Sequence, residues 1–215
     1  MKRYESVFVR RIEEFSRGKD VLEIGCGDGT RLAEVVGQSR SWIGIDPDSA
    51  AVAKAREASP SANAEFVEGH AENLAWPSAR FDVVIFTLSL HHIEFAVMPA
   101  AIDEAERVVR SSGLILFLEP LPVGTFYKAE MLYGCCDGDE RRELAYAFYT
   151  MLSADRLQEV EEFVAEVSFE YDSFDDFKQH VPTKDGTHAQ LDEFLSARGF
   201  KLDEKWRLNV FRVAI

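Results

Sequence analysis

The sequence predicts an α/β fold built on a parallel, doubly wound sheet, and three observations carry the prediction. Short apolar runs of strand length alternate with stretches of helical period five times between residues 20 and 120. The first run, Val21-Leu22-Glu23-Ile24, flows into a loop with glycine at every second position, Gly25, Gly27 and Gly29. The fourth, Phe81 to Thr87, is apolar at successive positions, as expected of a strand covered on both faces.

Taken in order, residues Tyr4 to Phe15 place Tyr4, Phe8, Ile12 and Phe15 on one helical face, and Gly18 stops that helix. After the glycine loop, Arg31 to Val36 reads as a helix, so the loop has the form of a ligand cradle at a helix N-terminus. Ser41 to Asp46 is a second strand ending on a carboxylate. Asp48 caps a helix over Ser49 to Ala58, and Pro60 closes it. Ala64 to Glu68 is the third strand, with Gly69-His70-Ala71-Glu72 beyond its end. A helix over Pro99 to Arg110 and a fifth strand, Gly113 to Leu118, ending at Glu119-Pro120, complete the alternation.

After Pro120 the rhythm breaks. Residues 121–183 read as mostly helical, with Asp139, Ser153 and Ser173 as N-caps, many aromatics, and Glu159, Glu161, Glu162 and Glu166 as a solvated helix face. The expected organisation is a core of residues 1–120 and 184–215 with a substrate or lid insertion over 121–183. A helix over Thr187 to Arg198 and a stop at Gly199 precede two strands, Phe200 to Trp206 and Asn209 to Ala214, expected to pair as an antiparallel hairpin.

A chain of 215 residues supports one sizeable core. Its net charge of −14 argues against a nucleic-acid partner, which needs clustered Lys and Arg, and favours a small-molecule substrate. Met1-Lys2-Arg3 leads into no apolar run of secretory length, and no segment approaches ~20 uninterrupted apolar residues, so a soluble, cytoplasmic protein without a membrane span is expected. Cys26, Cys135 and Cys136 show no metal-ligand spacing and read as plain reduced thiols; no metal is expected.

Ligands of open α/β sheets bind beyond the carboxyl ends of the strands. The site candidates are therefore Gly25 to Gly29, Asp46 and Pro47, Gly69 to Glu72, Thr87 to His92, and Glu119. Asp46 follows the loop at a separation suited to a carboxylate gripping a ribose diol, which points to an adenosine ligand. A dinucleotide site wants G-x-G-x-x-G, whereas here the glycines run G-x-G-x-G behind a glutamate.

Glu23-Ile24-Gly25-Cys26-Gly27-Asp28-Gly29 resembles the E/D-x-G-x-G-x-G signature of class I S-adenosylmethionine-dependent methyltransferases (methyltransferase type 11). The string GHAENLAWPSARFDVVIFTLSLHHI is similar to the same region in the small-molecule branch that includes ubiquinone and menaquinone biosynthesis enzymes. The resemblance covers residues 20–120. It implies a Rossmann-like, seven-stranded sheet with an antiparallel last strand, S-adenosylmethionine as cofactor, and a variable substrate region at 121–183. It also implies roles. Glu23, Gly25 and Gly27, with Cys26 filling the loop, would hold the methionine part; Asp46 the ribose hydroxyls; Pro47 one side of the adenine; His70, Ala71 and Glu72 its edge; and Thr87 the methionine end. His91 and His92 would face the methyl group and the acceptor, with His92, then His91, as the base if the acceptor needs one. The family often has an acidic residue where His70 stands, and its Lys-Pro-Gly-Gly is replaced by Arg110-Ser111-Ser112-Gly113. The aromatics of the insertion suggest an apolar or aromatic acceptor. The competing reading is a non-catalytic S-adenosylmethionine-binding or regulatory protein on the same fold.

Overall fold

The structure is a computed structural model that describes residues 2–3, 6–58 and 61–214. In chain order the elements are β1 (Lys2–Arg3), α1 (Ser6–Ser16), β2 (Asp20–Ile24), α2 (Ala33–Val36), β3 (Ser41–Asp46), α3 (Ser49–Ala58), β4 (Ala64–Glu68) and β5 (Phe81–Thr87). A single 3-10 turn at Leu90–His92 precedes α4 (Met98–Val108) and β6 (Val109–Gly124). Then follow α5 (Thr125–Tyr133), α6 (Arg141–Leu152), β7 (Leu157–Glu170), α7 (Phe174–His180), α8 (His188–Ser196) and β8 (Lys201–Val213). Tyr4 and Pro60, expected to join the first helical face and to end the α3 helix, lie outside the described residues.

The strands form one sheet in the order β1-β7-β8-β6-β5-β2-β3-β4. β2 lies parallel to both β3 and β5, β3 to β4, and β5 to β6. β8 runs antiparallel between β6 and β7, and the two-residue β1 only extends the β7 edge. The other seven strands make the Rossmann-like sheet with an antiparallel last strand. Chain order reverses between β2 and β5, which is where such sheets open a crevice. Helices cover both faces. Phe8, Ile12, Trp42, Phe177, Leu191 and Trp206 fill one core, and Phe86, Met98, Ile102, Phe117, Met151 and Phe211 the other. Burial on both faces is why the central strands read as continuous apolar runs.

Opposite the crevice, charges knit the strand starts together. Asp20 accepts from Arg40 Nη2 at 2.6 Å and Ser41 Oγ at 2.7 Å, while Asp82 accepts from Arg40 Nη2 at 2.7 Å and Arg110 Nη1 at 2.6 Å. The bond from Arg40 leads the causes that hold the Asp20 carboxyl far below the usual carboxylate range.

Several expectations are corrected. The C-terminal hairpin does not exist: Lys201–Val213 is one strand, and its partners are β6 and β7. Asn209, expected to begin the second strand of the hairpin, lies buried within the single strand, and its Nδ2 donates to Glu159 at 2.5 Å and Glu162 at 3.1 Å on β7. The acidic run is accordingly not a helix face but part of β7, where Phe163, Ala165, Val167 and Phe169 alternate inward. Residues 121–183 thus contribute a sheet strand as well as three helices. Ser153 ends α6 rather than starting a helix, whereas Ser173 caps α7 through Asp176 N at 3.1 Å. α2 spans only Ala33–Val36, too short to give the glycine loop a helix dipole of consequence.

Candidate active site

The glycine loop leaves β2 by crossing to β3, where Gly25 N and Cys26 N both donate to Ile45 O, at 2.8 and 3.0 Å. Its glycines serve three different needs. At Gly25 a Cβ would stand 2.2 Å from the Cβ of Ser89, whose hydroxyl donates to Ile24 O at 2.6 Å, so this glycine lets the loop after β5 close against the loop after β2. At Gly29 a Cβ would press on Ala55 and Phe66. Only Gly27 faces open space, at φ +54°, and there the backbone is bare toward the crevice.

Asp46, at the end of β3, ties the rim together: Oδ2 accepts from Gly27 N at 2.8 Å and Oδ1 from Asp48 N at 2.9 Å. Asp48 in turn caps α3 through Ala50 N at 2.8 Å. Between these loops lies a cavity of 770 Å³. Gly25, Cys26, Gly27, Asp46, Pro47, His70, Ala71, Glu72, Thr87 and His92 line it, brought together from the ends of four parallel strands. Glu23 does not line it. Its carboxyl is buried beneath the loop, where Trp42 Nε1 donates to Oε2 at 3.1 Å, and burial pushes its pKa up to about 7.

His91 also lies outside this cavity, as do Gly29, Leu90 and Glu119. It is buried, and its Nδ1 pairs with Glu119 Oε2, while Glu119 Oε1 accepts from Leu90 N at 2.9 Å and so fixes the whole 3-10 turn. Burial alone would lower the His91 pKa, but the charges of Glu119 and Glu140 outweigh it and raise it. Glu140, just before α6, stands 3.3 Å from His92 Nδ1 and 3.7 Å from His91 Nε2.

A second cavity of 290 Å³ adjoins the first and shares Arg31, Leu88 and His92 with it. His91, Glu130, Glu140 and Glu204 line it together with Phe126, Tyr127, Phe169, Tyr171 and Trp206. Burial, reinforced by Glu204 and Glu140, pushes Glu130 up to about 8. Burial likewise takes Glu204 to about 7, although Trp206 Nε1 donates to it at 2.7 Å. Glu130, Glu140 and Glu204 were not legible as site residues, because the folding of α5, α6 and β8 over the strand ends brings them in. Leu88, within the expected Thr87 to His92 stretch, lines both cavities. It sits at φ +51° between the cavities, a left-handed conformation that a leucine adopts only under tertiary constraint.

The first cavity fits an adenosine cofactor. Its volume falls in the range typical of ligand pockets. Gly27 offers bare backbone, and Asp46 offers a carboxylate with lone pairs beyond the two it spends on amides.

Residues 21–113 match the family model described as a methyltransferase domain. Among curated relatives, a probable S-adenosylmethionine-dependent methyltransferase of Mycolicibacterium smegmatis is 32% identical over 119 residues, 55% of this chain and 44% of that protein. A fatty-acid O-methyltransferase of the same organism is 33% identical over 108 residues, 49% of this chain and 38% of that protein. The matches thus span less than half of each relative. Among solved structures, an S-adenosylmethionine-dependent methyltransferase from Aquifex aeolicus aligns with TM-score 0.62 at 14% identity, covering 98% of this chain and 90% of that one. The cyclase SpnF aligns with TM-score 0.62 at 16% identity, over 97% of this chain and 81% of that one.

Proposed function

We propose, on the premise that residues 21–113 form a class I S-adenosylmethionine-dependent methyltransferase domain, that this chain transfers the methyl group to a small molecule with an apolar or aromatic body. The observation that carries this reading is the meeting of the two cavities at Arg31, Leu88 and His92. A protein that only bound the cofactor would need the first cavity but no aromatic second cavity beside it. A fatty-acid O-methyltransferase and a phthiotriol/phenolphthiotriol dimycocerosates methyltransferase among the relatives lend support to an apolar acceptor.

S-adenosylmethionine supplies a methyl group already activated on a sulfonium, so no strong acid is needed. In this reading the chain's work is positional. Gly27 and Asp46 hold the cofactor end, and the rings of Tyr127, Phe169, Tyr171 and Trp206 pack the acceptor in line with it. Where the acceptor carries a proton, His92 takes it, with Glu140 beside its Nδ1. His91, locked by Glu119, orients the turn that carries His92. The stretches 121–156 and 171–183 act as the cover over the acceptor.

Calorimetry with S-adenosylhomocysteine followed by mass spectrometry of metabolite pools incubated with S-adenosylmethionine tests this. A saturable cofactor isotherm and a product heavier by one methyl group are expected, with His92→Gln slowing turnover roughly 10²- to 10⁴-fold for a proton-bearing acceptor. Cofactor binding without any methylated product would favour the regulatory reading, and no binding would overturn both.

A further inference from the structure

We propose that His91, His92 and Glu140 bind a divalent transition-metal ion of the zinc type at the junction of the two cavities. One ligand atom from each, an imidazole nitrogen or a carboxylate oxygen, lies within 4.8 Å of the others. Glu140 Oε1 is 3.3 Å from His92 Nδ1, and Oε2 is 3.7 Å from His91 Nε2. Ligands held about 2.0 to 2.2 Å from a tetrahedral ion stand roughly 3.3 to 3.6 Å apart, so both histidine-to-carboxylate separations lie at or just beyond the spacing of a coordination shell, and a small rotation of the side chains closes it.

The surroundings of His91 strengthen the assignment. Its Nδ1 pairs with Glu119, which leaves Nε2 to face Glu140, and Glu119 is itself held by Leu90 N at 2.9 Å. A carboxylate behind a ligating imidazole fixes its tautomer and ring orientation and makes it a better donor. Two nitrogens and one carboxylate oxygen suit zinc or cobalt, whereas magnesium and calcium prefer shells of oxygen. All three residues line the second cavity, so a fourth position opens toward the acceptor space, the arrangement of a reactive rather than a structural zinc centre. No local spacing announced it, because Glu140 lies 48 residues beyond His92 in the chain and reaches it only through α6.

The ion's use in catalysis rests on the methyl-transfer reading; its binding does not. When bound, the ion occupies His92 Nδ1, so ion binding and proton uptake are alternative uses of that nitrogen.

Full-length protein stripped with a chelator and titrated with Co²⁺ tests the site by visible absorption. The expected result is the bands of four-coordinate cobalt saturating at one equivalent and displaced by Zn²⁺. Glu140→Gln and His92→Ala should each weaken binding roughly 10-fold or more. Glu140→Gln, which alters no residue of the cofactor cavity, should keep its S-adenosylhomocysteine affinity and its cooperative melt. Absence of such bands, or bands unaltered in both variants, would overturn the inference. Cobalt bands in a protein that fails to bind S-adenosylhomocysteine would uphold the metal site while sinking the methyltransferase reading.

Discussion

Gly27 and Asp46 both line the first cavity, joined by a 2.8 Å bond, and their neighbours differ in what a substitution meets. At Gly27 an added methyl meets no protein atom within 4 Å, so the fold loses only the cost of a left-handed alanine, about 1 kcal/mol. The same methyl would intrude on whatever lies against the loop. Gly27→Ala should therefore melt within a few degrees of the parent yet bind S-adenosylhomocysteine markedly less tightly. Gly25→Ala should instead lose stability, because its Cβ collides with Ser89. For Asp46→Asn, exchanging a charged acceptor for a neutral one should cost about 1.5 to 3 kcal/mol of binding, roughly a 10- to 100-fold weaker calorimetric Kd. An unchanged Kd would mean that the ribose is gripped elsewhere.

Among the elements, the starts of β2, β3, β5 and β6 are held by a charge network centred on Asp20, with Arg40, Asp82 and Arg110 around it. Asp20→Asn should lower stability by about 1 to 3 kcal/mol, since the buried acceptor loses its charge while three cationic neighbours remain. The pH dependence follows from the depressed pKa. The contribution is complete above the ordinary carboxylate range, near pH 4, and drains away as pH falls below it toward the folded-state value. Melting curves of parent and variant should therefore converge as the solution is made more acid. Elements of this kind were legible in the sequence to the extent that their cause was local. The apolar runs of the five parallel strands announced themselves, as did the Asp48 cap of α3 and the cavity residues at strand ends. β7 did not, because its acidic residues suit a helix surface equally well until Asn209 on β8 is seen to need Glu159 and Glu162. The aromatics of the second cavity pointed to an apolar acceptor, but its carboxylates Glu130, Glu140 and Glu204 were not legible for the same reason, being brought together by α5, α6 and β8 from segments remote in sequence.

For the molecule as a whole, binding to the folded state alone couples the cavity to global stability. At 100 times Kd, S-adenosylhomocysteine should add about 2.7 kcal/mol and raise the melting temperature by roughly 5 to 10 °C. A second global effect comes from Glu23 acting together with the net charge of −14. Burial lifts the folded-state pKa of Glu23 to about 7, above the value near 4.3 of an unfolded glutamate. Between these values the folded state holds the extra proton, so stability declines as pH rises from about 4.3 to 7, by as much as about 3 kcal/mol, and no further above that. Repulsion among surface carboxylates works in the same direction, but the two causes differ in their response to salt. At about 1 M ionic strength the Debye length shrinks to about 3 Å, which suppresses the surface repulsion and leaves a buried group untouched. Glu23→Gln retains an oxygen to accept from Trp42 and carries no titrating proton. The difference in unfolding free energy between the parent and Glu23→Gln, measured at high salt from pH 5 to 8, should therefore move in favour of the variant as pH rises. A difference that stays flat with pH would show that Glu23 is ionised in the folded protein throughout and that the alkaline decline belongs to the surface.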